Sequence, residues 1–150
     1  PDSVTSIGGA AFRGCSGLTS IVIPDSVTGI GDSTFYKCSS LMSITIPDSV
    51  KWIGSWAFGY CSGLTSITIP DSVTSIGGDS FRGCSGLTSI VIPDSVTGIG
   101  SFAFVDCGGL KNIYYSGTVE EWRAIEKQDS WNYGIYGYTV YCTDGNIGRE

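Results

Sequence analysis

A solenoid of stacked repeats is the fold this sequence predicts. Three observations carry it. Prolines stand at 1, 24, 47, 70 and 93, a constant step of 23, and Cys15, Cys38, Cys61, Cys84 and Cys107 keep the same step. So do Phe12, Phe35, Phe58, Phe81 and Phe104. The chain's only leucines, Leu18, Leu41, Leu64, Leu87 and Leu110, are in register with them. A unit this short cannot bury its own apolar face, so each must stack on its neighbours. With 150 residues in all, that stack makes one domain.

The second unit shows the elements in order. Ser43-Ile44-Thr45-Ile46 alternates polar and apolar residues with β-branched side chains, which predicts one short strand per repeat. Pro47 ends regular ladder pairing and opens a turn that Asp48 and Ser49 can bond locally. The return path carries Ile53, Phe58 and Cys61 inward, and the stretch from Phe58 to Cys61 suits one helical or 3₁₀ turn. Glycines at 8, 31, 54, 77 and 100 mark where backbones pass closely or φ turns positive.

After Tyr115 the pattern changes. Thr118 with Glu121 reads as a capping box, and Val119, Trp122 and Ile125 form an apolar stripe on the helix that follows. Tyr138 to Cys142 alternates as a last strand, and Asp144-Gly145 turns out of it. The expected organisation is five 23-residue repeats over residues 1–115 and a capping segment over 116–150 of the same domain. Residues 1–31 match 70–100 except at Ala10/Asp79 and Ala11/Ser80. Blocks of three repeats are thus copied, and a longer array upstream is expected. The first repeat has no polar cap, so its open face is expected to be apolar and to favour self-association.

Composition narrows function. Charged residues make up 15% of the chain, and the net formal charge of −6 argues against a phosphate-neutralising surface and hence against a nucleic-acid partner. There is no histidine, which removes Ser-His-Asp and Cys-His catalysis and histidine metal ligation. No apolar run approaches the roughly 18 residues of a membrane span, and no export signal opens the chain.

Leu18-x-x-Ile21-x-Ile23-Pro24-x-x-Val27-x-x-Ile30 followed by Phe35-x-x-Cys38 resembles the treponemal class of leucine-rich repeats found in BspA-like bacterial and protist surface proteins. The resemblance spans residues 1–115. It implies a right-handed leucine-rich repeat solenoid with a parallel β-sheet on the concave face and short helical or 3₁₀ turns on the convex side. It also implies a non-enzymatic cell-surface or secreted module for adhesion or protein binding, without cofactor or metal. The expected partner is a protein or glycan on a host or neighbouring cell surface. The alternative is a structural spacer that presents another domain.

Candidate residues fall into three groups. The five cysteines in register are expected to form a buried, reduced column, since coils stacked at about 4.8 Å hold Cβ atoms farther apart than a disulfide's roughly 3.8 Å. Cys142 stands outside the column, with a bond to Cys107 left open. Aspartates at 2, 25, 48, 71 and 94 form a second column, read as turn caps or as a site for a cation or a basic partner. Charges about 5 Å apart repel by roughly 1 kcal/mol in water, so this column must be well solvated. Asp48 and Asp71, with Thr45 and Thr68 on the exposed strand face, make one candidate binding surface. Trp52, Trp56 and Tyr60 make the other. They occupy sites that are mostly Ser, Gly, Ala or Asp in other repeats, so the shared core does not require them. Such aromatics either pack on one another or form an exposed contact patch.

Overall fold

The computed structural model describes residues 1–148; the last two residues of the expected 116–150 segment lie outside the described residues. In chain order the elements are β1 (Trp52–Ile53), β2 (Ser66–Thr68), β3 (Ser75–Ile76), β4 (Ser89–Ile92), β5 (Gly98–Ile99), β6 (Asn112–Tyr115), α1 (Val119–Ala124), β7 (Glu126–Lys127), β8 (Thr139–Cys142) and β9 (Gly145–Gly148). They build a right-handed solenoid with two sheets. The concave sheet has the order β2-β4-β6-β8-β9, and a second sheet on the return path has the order β1-β3-β5-β7. Where the sequence predicts one strand per repeat, each regular coil therefore contributes two. The second is only two residues long, too short for alternation to reveal.

Register follows the repeat. Ser66 pairs with Ser89, and Ser89 with Asn112, in parallel. In the first two coils the same contacts reduce to isolated bridges, Ile7 with Ile30, Val22 with Thr45 and Ile30 with Ile53.

The core is a set of columns, several of them made of one residue type. Phe12, Phe35, Phe58, Phe81 and Phe104 stack with centroids 5.3–5.4 Å apart. Val27, Ile30, Phe35, Cys38 and Leu41 are fully buried, and so are most of their equivalents in later coils. Each such side chain contributes about 1.5–3 kcal/mol of apolar burial. The stack also satisfies its polar groups from coil to coil. Ser49 and Ser72 donate hydroxyl bonds of 2.6 Å to the carbonyls of Val27 and Val50. The Pro-Asp-Ser turn itself is closed by backbone, as in Val50 N–H to the Pro47 carbonyl at 3.1 Å. Serine thus ties neighbouring coils together and does not cap its own turn.

The convex turns differ from expectation. Instead of a 3₁₀ turn, each coil has consecutive four-residue turns, such as Phe58 to Cys61, whose third residue has positive φ. That is the mark of type II turns. Trp56 (φ 59°) and Tyr60 (φ 58°) are two such residues. The left-handed twist aims the amides of Trp56, Phe58 and Tyr60 at the carbonyls of Gly78, Ser80 and Arg82 in the next coil. A 3₁₀ helix would spend those amides within the coil.

One cysteine departs from the column. Cys38, Cys61, Cys84 and Cys107 are buried, but Cys15, in the first repeat of this chain, is exposed. The other four thiols donate to phenylalanine carbonyls of the preceding coil at 3.0–3.1 Å, beginning with Cys38 to Phe12. All six cysteines, Cys142 included, are free.

Past Tyr115 the chain makes one more coil. β7 pairs with β5 and β8 with β6, both parallel, and β9 then folds back antiparallel on β8. The extra length of this coil is α1. Thr118 and Glu121 form the expected capping box, and Trp122 is buried. The Trp122 ring meets Tyr115 at 5.2 Å and Trp131 at 5.9 Å, edge to face. Trp131 in turn ends the phenylalanine column, 6.1 Å from Phe104.

Candidate functional site

The structure gathers the predicted residues on two faces. On the concave side, Thr45, Thr68, Asp48 and Asp71 line one shallow groove of about 480 Å³, floored by strand residues from Ser43 to Val91. Strand alternation turns Thr45 and Thr68 outward while Ile44, Ile46, Ile67 and Ile69 face the core. Asp48 and Asp71 are exposed, and among the described residues their carboxylates accept no hydrogen bond. The groove can take hydrogen-bond donors or a cation, but its surface lacks an aromatic anchor.

Such an anchor stands just beyond it. Tyr114 follows Val91 in register, and its ring stacks on that of Tyr141 at 5.1 Å. Alternation marks Tyr114 as exposed, but its pairing with Tyr141 depends on the 27-residue step of the last coil, which the 23-residue period does not foretell.

On the convex side Trp56 and Tyr60 come together with Tyr36. Trp56 and Tyr60 stack at 6.2 Å, and Tyr36 meets both edge-on at 5.6 and 5.8 Å. Their room comes from missing side chains: a Cβ on Gly59 would lie 2.9 Å from the Trp56 ring, and one on Gly83 only 2.4 Å from the Tyr60 ring. Trp52 is not part of this cluster. It sits on β1, where its indole lies across Gly29 of the previous coil. The four-residue spacing that suggests one patch is a helical measure, and this segment is a strand followed by turns.

Cations join the rings. Arg13 and Lys37 lie over Tyr36 at 5.1 and 5.4 Å, and Arg82 lies over Trp56 at 5.6 Å and Phe102 at 5.9 Å. Sequence reasoning missed these. The signal was present, since Arg13, Tyr36, Gly59 and Arg82 share one repeat position. Arg82 also bonds Asp79 at 3.0 Å, and that hydrogen bond raises its pKa further. The buried thiols offer no nucleophile. Desolvation pushes Cys61 and Cys107 up to about 12 and Cys84 well above the ordinary thiol value. Among the described residues no three Cys, Asp or Glu side chains converge as a metal site, and no helix is long and apolar enough to cross a membrane.

Comparison with known proteins bears on this architecture. The profile of the BspA type leucine-rich repeat region matches residues 5–125 in six copies. The chain belongs to the BspA-type leucine-rich repeat family. Its solved relatives share the solenoid. A leucine-rich cell surface protein from Faecalibacterium prausnitzii is 40% identical with a TM-score of 0.82, covering 84% of this chain and 33% of that one. A leucine-rich repeat protein from Bacteroides ovatus is 44% identical with a TM-score of 0.73, covering 76% and 30%. The Treponema pallidum leucine-rich repeat protein is 31% identical with a TM-score of 0.73, covering 93% and 67%. This BspA-type chain therefore spans about a third of the first two relatives. Among curated proteins none matches it.

Proposed function

We propose that this BspA-type chain is a non-enzymatic binding module of a cell-surface or secreted protein, and that it serves adhesion by holding a protein partner. One observation carries the reading. Trp56 and Tyr60 stand at two sites that take positive φ in every repeat, where other repeats place Ala, Ser, Asp or Phe and Gly, Lys or Asp respectively, and such a backbone costs a bulky residue about 1–2 kcal/mol. The core does not require these rings, so the strain is spent on a surface feature, as at other functional sites. Tryptophan, tyrosine and arginine gathered in one partly exposed cluster also match the composition of interface hot spots. The cell-surface description of the Faecalibacterium relative supports the location. The concave groove with Thr45, Thr68, Asp48 and Asp71 supplies a second, weaker contact.

A host-matrix protein and glycan array tests this. The native chain is compared with a Trp56→Asp/Tyr60→Gly variant, which installs residues that other repeats carry at these positions. Capture of a protein partner that the variant loses supports the reading. Capture unaffected by the variant but lost in Asp48→Asn/Asp71→Asn moves the site to the groove. An array on which nothing binds favours the spacer.

A further inference from the structure

We infer that the convex aromatic edge takes an acidic polypeptide segment whose carboxylates are held by Arg13 and Lys37. This rests on the reading of that edge as the contact surface, and goes on to name the partner's chemistry.

The charge arrangement carries the inference. In a chain of net charge −6, two cations converge on the single ring of Tyr36, at 5.1 and 5.4 Å from its centroid. Neither is neutralised: among the described residues Arg13 and Lys37 make no ion pair and no side-chain hydrogen bond, whereas Arg82 in the same column is paired with Asp79. Two like charges gathered at one ring repel, and an anion bound at this edge offsets that cost. Both cations rest against the ring and are exposed, with no polar side-chain partner among the described residues. A guanidinium so held is ready for a two-point carboxylate bond.

The rings themselves exclude the other obvious occupant. A sugar would need an open aromatic face. Tyr36 has its cations and receives Trp56 and Tyr60 at 80° and 87°, while Trp56 is stacked with Tyr60 at 18° and covered by Arg82. What remains exposed is the charge of Arg13 and Lys37 together with the partly open ring of Tyr60. That suits a peptide with carboxylates and a neighbouring aliphatic side chain, the latter resting against Tyr60, which is 38% exposed.

The test uses a fluorescein-labelled Glu-rich peptide carrying one leucine, its Gln analogue, and a sulfated oligosaccharide, followed by anisotropy. Arg13→Gln/Lys37→Gln is compared with Lys111→Gln/Arg123→Gln, which removes equal charge elsewhere. The Glu peptide should bind the native chain, weaken about tenfold in the first variant and remain nearly unchanged in the second. Binding should also fall as salt rises from about 50 to about 300 mM. Equal binding of the Gln analogue, equal loss in both variants, or binding of the sulfated sugar without the peptide would overturn the assignment. If the Glu peptide fails while Trp56→Asp/Tyr60→Gly still loses an array partner, the edge stands as the site and only its preference for acidic segments falls.

Discussion

The ring of Tyr60 lies against Gly83, the residue at the same repeat position one coil further on: a Cβ at Gly83 would come within 2.4 Å of it. The ring is exposed because the next coil has no side chain to cover it, and it is held because that coil's backbone lies directly beneath. Gly83 itself has φ +70°. Gly83→Ala should therefore destabilise the fold by about 1–3 kcal/mol, through strained backbone and a displaced ring. Adding Tyr60→Ala should recover the steric part and leave the backbone part. Denaturant midpoints for the two singles and the double separate these terms, and full additivity would mean the ring does not rest there.

Trp56→Asp and Tyr60→Gly should change stability little. Relief of positive φ, about 1–2 kcal/mol for Tyr60→Gly and less for Trp56→Asp, which keeps a Cβ, opposes loss of aromatic pairing worth about 0.5–1.5 kcal/mol. Partner capture should fall sharply with thermal midpoint nearly constant. A large drop in midpoint would mean the cluster serves the fold first.

The thiols should separate by position. Cys15 should react at once with a thiol reagent near pH 8, Cys142 more slowly, and Cys38, Cys61, Cys84 and Cys107 only after unfolding, as read by intact mass. Their titration also shapes stability at high pH. Burial holds Cys61 and Cys107 at about 12, above the ordinary value of 9.0, so the native state keeps protons that the unfolded chain loses. Their contribution is complete below pH 9 and declines as pH rises towards 12. Cys61→Ala/Cys107→Ala should flatten that alkaline decline, and a native-like decline in the double variant would place its origin elsewhere.

The final coil should be the stack's clasp. Trp122 is buried against Tyr115 and Trp131, and the Lys127 ammonium lies 4.6 Å from its ring while donating to the Trp122 carbonyl. Trp122→Ala should cost about 3–5 kcal/mol and lower the thermal midpoint of the whole array, since terminal units support their neighbours in a one-dimensional stack. Hydrogen exchange should show protection lost first at β6 and β8.

Periodicity made the repeat core legible, because Phe58, Cys61 and Leu64 must recur wherever one coil covers the next. The capping box at Thr118 and Glu121 was equally readable, being a local pairing three residues apart. The placement of Trp52 apart from Trp56 was not. It depends on whether residues 52–60 run as strand and left-handed turns or as a helix, and inter-coil hydrogen bonds decide that. Nor could spacing show that Cys15 is exposed, or that Arg13, Lys37 and Arg82 flank one aromatic cluster. Linear order sets which residues share a column. Which neighbours meet across columns depends on how each turn twists and where a glycine leaves room, and those are properties of packed coils.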